Sequence, residues 1–215
     1  MKRLGIGCAI LGGLGLGLIL LISVGASGYN HLVKLSQSVD RQWAQVQTVY
    51  QRRADLIPNL VATVSGAANF EKSTITEVTA ARASVGQVKL DFNAAPADAA
   101  KLAEFDRAQG QLSSALSRLL VVAENYPQLR ATENFKELQA QLEGTENRIA
   151  VERGRFNEAV QNYNSAVKSF PTLMFAGMWG FHPKPYFAAT AGAENAPKVQ
   201  FDLGNKPAPA PTPEK

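Results

Sequence analysis

Material for catalytic chemistry is scarce in this chain. Cys8 is the one cysteine, and His31 and His182 are the two histidines. A single cysteine forms no intramolecular disulfide and leaves the redox compartment open. Neither histidine has a partner at His-x-x-His or Glu-x-x-His spacing, which argues against a di-iron site of the ferritin kind. The sequence holds no nucleophile elbow, no phosphate-binding glycine loop and no Cys/His pairing. Glu143 and Glu146 lie one helical turn apart, a spacing far commoner on a solvated face than in an acid–base dyad. The expectation is a protein without enzymatic activity, metal or cofactor.

Clusters of one charge are missing as well. The net charge is +4 and the pI near 9.2, yet no run of like charge exceeds two residues. Nucleic-acid surfaces gather Lys and Arg on one face. Here acidic and basic residues interleave, so we expect a solvated helical surface and no nucleic-acid partner.

Charge is absent altogether from Leu4 to Asn30, directly after Lys2 and Arg3. A membrane-crossing helix needs about 20 apolar residues. A signal peptide has an apolar region of about 7–15 residues, shorter than this one. Residues 1–28 therefore read as a retained transmembrane anchor; a peptide cleaved after Val24-Gly25-Ala26 is the alternative. With Lys2 and Arg3 kept cytoplasmic, the rest of the chain lies outside the cytoplasm, as a single-pass membrane protein with a periplasmic domain. Gly5, Ala9, Gly13 and Gly17 recur every fourth residue, a flat strip that favours close packing of membrane helices and self-association.

What the chain has in abundance is seven-residue periodicity. Phe135, Leu142, Ile149, Phe156, Tyr163 and Phe170 form one line, with Leu138, Thr145, Glu152, Ala159 and Ala166 beside it. Only a helix in a coiled seam keeps such a set on one face. Leu32, Val39, Val46, Arg53 and Leu60, with Trp43, Tyr50, Ile57 and Val64 alongside, predict another long helix, kinked near Pro58. A second spans about 70–88, with Ile75, Val78, Ala81 and Val85 inward. Asp91, Asn93 and Pro96 mark a turn. A third helix opens at Pro96 or Ala97, carries Leu102, Phe105, Leu112, Leu116, Leu119 and Ala123, and ends at Tyr126-Pro127. Thr132 starts the ladder helix and Phe170-Pro171 stops it. The fold class is all-α: a transmembrane helix, then a long antiparallel, up-and-down four-helix bundle over 29–171. Residues 172–188 are apolar, aromatic and aperiodic, and should pack on the bundle or the membrane. Residues 189–215, rich in Ala and Pro, should be a disordered tail.

Two polar features interrupt the apolar lines. Arg53 lies on the first line and Glu152 on the last, and either charge buried alone would cost several kcal/mol. We expect Arg53 to meet Glu152, or Glu146 near it, as a register-fixing pair. Asn157 and Asn164 each follow a buried aromatic, one step round the helix. Their amides should act as glue to a neighbouring helix or helix end. Trp179 and Phe181 are candidate contact residues in the aromatic segment.

These segments resemble the LemA family. The likeness rests on Tyr29-Asn30, Trp43, Gln51-Arg52-Arg53-Ala54-Asp55-Leu56-Ile57-Pro58-Asn59-Leu60-Val61, Ala81-Arg82-Ala83 and Glu124-Asn125-Tyr126-Pro127. It continues through Asn134-Phe135, Glu143-Gly144-Thr145-Glu146-Asn147-Arg148-Ile149-Ala150, Phe156-Asn157, Tyr163-Asn164, Phe170-Pro171 and Gly180-Phe181, from the anchor to about Phe187. Phe156 stands where the family more often has Tyr, and the Ala/Pro tail lies outside the pattern. The resemblance implies one membrane helix and an extended helical bundle, no catalytic residues, and, by analogy of fold alone, a part in membrane organisation. The expected function is that of a membrane-anchored, non-enzymatic scaffold in the bacterial envelope, touching the lipid bilayer and partner proteins or its own copies. The alternative is a sensory or ligand-binding bundle with a site between helices near Arg53, Arg82 and Arg148.

Overall fold

A computed structural model describes residues 2–67, 70–88 and 94–188, with backbone alone at 2–11 and 21. Six helices appear among them: α1 (Lys2–Ser65), α2 (Lys72–Gln87), α3 (Ala99–Ala123), α4 (Pro127–Ala131), α5 (Glu133–Lys168) and α6 (Leu173–Ala176). The architecture is all-helical and antiparallel. Asp91, Asn93 and the tail from 189 fall outside the described residues.

Local sequence sets most of the boundaries. The Asp98 carboxylate accepts the Ala100 N–H at 2.8 Å and caps α3. That cap starts the helix at Ala99, two to three residues later than the expected opening at Pro96 or Ala97. The Thr132 hydroxyl accepts the Phe135 N–H and caps α5. Pro127 does more than end α3. Its missing N–H is no loss at a first helical position, and it opens the short α4 that periodicity did not reveal. Pro58 lies inside α1 on the exposed side, and the helix continues through it to Ser65. Ile57, Leu60 and Val64, all buried, hold the last two turns in the core across the lost hydrogen bond.

α1 packs lengthwise on α5, and α2 on α3, with α1 also touching α2. Trp43 meets Phe156 and Phe105, which brings these levels of α1, α5 and α3 opposite one another. The predicted lines are buried nearly as drawn: Leu32, Val39, Val46, Trp43, Tyr50, Ile57, Leu60 and Val64 on α1, and Phe135, Leu142, Ile149, Phe156 and Tyr163 on α5. Each such side chain contributes about 1.5–3 kcal/mol by leaving water. Phe170 breaks the ladder. It is 80 % exposed, because α5 ends at Lys168 and the chain turns away before the sixth rung.

The core is two clusters rather than one. The cluster toward Tyr29 gathers Trp43, Phe105, Phe156, Tyr163 and Phe187. The cluster toward Ser65 gathers Ile57, Leu60, Val64, Leu112, Leu119 and Phe135. Arg53 sits on α1 between them.

After α5 the chain makes a compact turn over 170–180 and leaves it at Gly180, whose φ is +80°. The Phe181 N–H reaches the Ala176 carbonyl at 2.9 Å and the Gly180 N–H the Gly177 carbonyl at 3.1 Å. This pairing is the glycine-ended helix cap in which the turn residue must be left-handed, at a cost of about 1–2 kcal/mol for any residue with a Cβ. Residues 181–188 then run without helix back along the bundle.

Candidate functional site

Arg53 is 1 % exposed, and the bundle assembles acceptors around it. Its Nη1 donates to Glu146 Oε2 at 2.9 Å and to Ser113 Oγ at 2.7 Å. Its Nη2 donates to the Gln109 side-chain and backbone oxygens, and its guanidinium lies 5.1 Å from the centre of the Tyr50 ring. Nε has no partner. Ser113 Oγ also donates to Glu146 Oε1 at 3.3 Å, which ties the carboxylate to α3. The Glu146 side chain is half exposed, so one end of the pair is solvated while the other is sealed.

Of the two carboxylates expected for Arg53, Glu146 is the one that reaches it. Arg53 lies ten residues beyond Trp43 on α1, and Glu146 ten residues before Phe156 on α5, so the antiparallel register brings them level. Glu152 is six residues farther along α5, about 9 Å at 1.5 Å per residue. It pairs instead with Arg155 at 2.7 Å, and its second oxygen is buried without a partner.

Gln109 and Ser113 were not foreseen, although Gln109 had a signal. It stands on α3 four residues after Phe105 and three before Leu112, on the same apolar stripe, and is buried. A polar residue interrupting a stripe marks a polar layer as surely as Arg53 does. Tyr50 belongs to the same neighbourhood. Burial pushes its phenol above the usual tyrosine value, against the opposing pull of the Arg153 and Arg53 guanidinium groups. Arg153 pairs with Asp106 at 2.8 Å, a second tie between α5 and α3.

The asparagines do act as glue, but to a strap rather than to a helix. Asn164 Nδ2 donates to the Lys184 carbonyl and Asn164 Oδ1 accepts the Lys184 N–H, both at 2.8 Å. Asn157 repeats the pattern with Phe187, at 3.0 and 2.9 Å. An amide is the side chain that offers one donor and one acceptor side by side, so each asparagine satisfies a whole residue of extended backbone. The spacing fits: seven helical residues rise about 10.5 Å. Three extended residues span about 10 Å. The Tyr163 hydroxyl donates to the His182 carbonyl at 3.0 Å, and Lys184 Nζ meets Asp40 at 3.0 Å. Asp40 Oδ1 also accepts the Ala95 N–H at 3.0 Å, joining the strap to the approach of α3.

Trp179 and Phe181 both pack on Tyr29, each with ring centres 5.6 Å apart, and Phe175 stacks on Trp179 at 5.5 Å. Both are partly covered; the exposed apolar groups lie beside them, at Phe170, Leu173, Met174 and Met178. Gly13 and Gly17 stand on the open surface of α1, where an added Cβ would meet nothing within 4 Å; Gly5 and Ala9 lie on the part described by backbone alone.

A groove of about 320 Å³ opens beside Trp43, Gln47, Tyr50, Arg82, Phe105 and Gln109. Arg53, Arg82 and Arg148 do not converge on it: Arg53 is sealed in the core, Arg82 lies on the groove wall, and Arg148 is exposed on α5. Among the described residues no group of His, Cys, Asp and Glu side chains is placed to hold a metal ion.

Three magnetosome proteins are similar to this chain. The proteins named MamQ 1 and MamQ 2 of Paramagnetospirillum magneticum are each 25 % identical over 181 residues, covering 74 % of this chain and 64 % of the relative. MamQ of Magnetospirillum gryphiswaldense is 25 % identical over 194 residues, covering 80 % of this chain and 69 % of its own length. The chain thus spans under two thirds of the length of the first two. The LemA family profile matches residues 42–201. The match begins after the Tyr29-Asn30 boundary and runs past Phe187 into the Ala/Pro segment, so the family pattern is shifted toward the C-terminus relative to the span read from motifs. On that match, which takes in well over half of its residues, the chain belongs to the LemA family.

Proposed function

We propose that this protein is a membrane-anchored, non-enzymatic scaffold of the bacterial envelope, a stiff post that holds partner proteins or copies of itself at the membrane surface. The observation that carries this reading is the continuity of α1. The N-terminal part of the helix is long and apolar enough to cross a membrane, and its large side chains at Leu14, Leu16, Leu18, Ile19, Leu20, Ile22 and Val24 are exposed. The same helix runs without a break into the bundle and packs along α5. A post of this kind needs a filled core more than a cavity. The two apolar clusters support that requirement. Similarity to proteins named for the magnetosome supports an organising role, and we place the finer task in membrane organisation. The charge of Lys2 and Arg3 favours an N-terminus in the cytoplasm and a periplasmic bundle.

The test uses photoreactive residues at Val121 and Val151, exposed apolar positions on α3 and α5. In cells, discrete protein adducts should form, and should vanish when residues 2–28 are removed. A full-length chain that fractionates with membranes and gives no protein adduct from either position refutes the scaffold.

A further inference from the structure

The chain returns to the end of its apolar helix after completing the bundle. Trp179 comes within 3.9 Å of the place a Cβ would occupy at Gly28, and it packs edge-on against Tyr29. These two positions close the uncharged run that starts at Leu4. In the residues leading up to Trp179, Phe170, Leu173, Met174 and Met178 are 80, 60, 68 and 76 % exposed. Leu173 and Met174 stand on the single turn of α6 and Met178 just after it, whereas Ala176, between them, is buried against the bundle. The segment therefore has an inner face that docks on α1 and α5 and an outer face that is almost wholly apolar. Four large apolar groups within nine residues form a patch that water would not leave uncovered without consequence.

Position decides what covers it. The uncharged run of α1 is about 40 Å long at 1.5 Å per residue, against a hydrocarbon core of about 30 Å. Its last residues, Gly28 to Asn30, therefore lie in the headgroup zone when the helix spans. Tyr and Trp prefer that zone, since each joins an apolar ring to one polar atom. Tyr29 and Trp179 are in contact there. The exposed apolar side chains of 170–178 precede this contact in the chain, and α1 on its other side carries exposed large apolar side chains up to Val24.

We propose that residues 170–180 form a second membrane contact, an amphipathic foot lying in the interface beside the anchor, with Leu173, Met174 and Met178 in the acyl boundary. The foot rests on the anchored reading above. The strap that follows holds it in place: Gly180 turns the chain, and Asn164 and Asn157 clamp residues 184 and 187 to the bundle. The aromatic segment thus divides its work, the first half on lipid and the second half on protein.

The chain carries its own reporters. Its two tryptophans are Trp179 in the foot and Trp43, fully buried in the bundle core. The full-length protein is reconstituted in phosphatidylcholine–phosphatidylglycerol vesicles whose acyl chains carry bromine at a shallow or a deep position. Trp179 emission should be lost with shallow bromine, less with deep bromine, and resist aqueous iodide; Trp43 emission should survive all three. Trp179→Phe should abolish the lipid-quenched component. Met174→Glu with Met178→Glu should reduce it severalfold. A Leu16→Trp reporter in the Trp179→Phe chain reads the anchor separately and should be quenched by deep bromine. If that reporter is quenched while Trp179 answers only to iodide, the foot is refuted and the anchor stands. If Trp179 resists both quenchers and becomes iodide-accessible when the protein is diluted among vesicles, a second copy covers the patch and the foot is again refuted. If the Leu16→Trp reporter is not quenched by lipid, the anchored reading itself falls.

Discussion

Replacing Glu146 by alanine should cost the bundle more than deleting Arg53 together with its buried acceptor. Glu146→Ala leaves the guanidinium in place, 1 % exposed, with only neutral oxygens around it. A hydrogen bond to a charged group contributes about 1.5–3 kcal/mol. Glu146 is 53 % exposed, so solvent screening points to the lower part of that range. For a chain of this size that is a fall in Tm of about 4–8 °C. Arg53→Met with Gln109→Leu removes the buried charge and the oxygen that would be orphaned by its loss. Glu146 is free to rehydrate, and Ser113 is only partly covered. Exchanging a buried ionic group for apolar side chains is commonly neutral, or stabilising by about 1–4 kcal/mol. The order of melting temperatures should therefore be Glu146→Ala lowest, with the double variant at or above the natural chain. The double variant should lose uniqueness instead. A slip of α5 by one heptad moves it about 10.5 Å, and an apolar layer no longer opposes it. Spin labels on exposed residues Gln51 and Ala150, in a Cys8→Ser background, should give one distance in the natural chain and a second, displaced population in the double variant. Melting of the double variant below Glu146→Ala would mean that the layer supplies stability. A single distance in the double variant would mean that it does not set register.

Further perturbations test the strap and the buried phenol. Asn164→Asp keeps the acceptor for the Lys184 N–H but loses the donor to its carbonyl, so amide exchange at Lys184 should rise about tenfold, the equivalent of one net hydrogen bond. Unchanged exchange there would show that the strap is held by its aromatic contacts alone. Asp40→Ala removes the acceptor shared by Lys184 and Ala95 and should loosen both sites together by about 1–2 kcal/mol. Exchange that rises at one site and not the other would contradict the link. Burial holds the Tyr50 phenol above its ordinary value of 10.0. The raised folded value favours the protonated, folded state, so this contribution is full below pH 10 and is lost as pH rises through the folded value. Urea midpoints measured upward from neutral pH should fall less steeply in the alkaline range for Tyr50→Phe than for the natural chain. Parallel curves would remove Tyr50 from the alkaline transition.

Periodicity made the helices legible because each apolar line must be covered by another helix, and Arg53 stood out as a charge on such a line. Periodicity gives faces, however, and leaves axial position open. Glu146 and Glu152 therefore looked equivalent until Trp43 against Phe156 fixed the register. Phe170 fitted the seven-residue count and still missed the core, because the helix had already stopped. Tyr126-Pro127 ends α3 by its sequence, but a first-turn proline is also a start, and Pro127 opens α4. The strap was hidden for a different reason. Its bonds run from side chains to backbone carbonyls and N–H groups, which carry no residue-specific signal in a sequence. The asparagines announced that something would be bound, and their seven-residue spacing matched three extended residues only once the partner was known.

α1 also has a mechanical side. No loop separates its apolar half from its bundle half, so a tilt imposed below Tyr29 is inherited whole above it. Ser65 is 36 residues beyond Tyr29, a lever of about 54 Å. In the anchored state, a change of about 10° in tilt, well inside the range membrane helices adopt, sweeps the far tip sideways by about 9 Å. For copies anchored side by side, as in the proposed scaffold, bilayer thickness and curvature would be converted into the spacing between neighbouring tips, at a distance where lipids themselves do not reach.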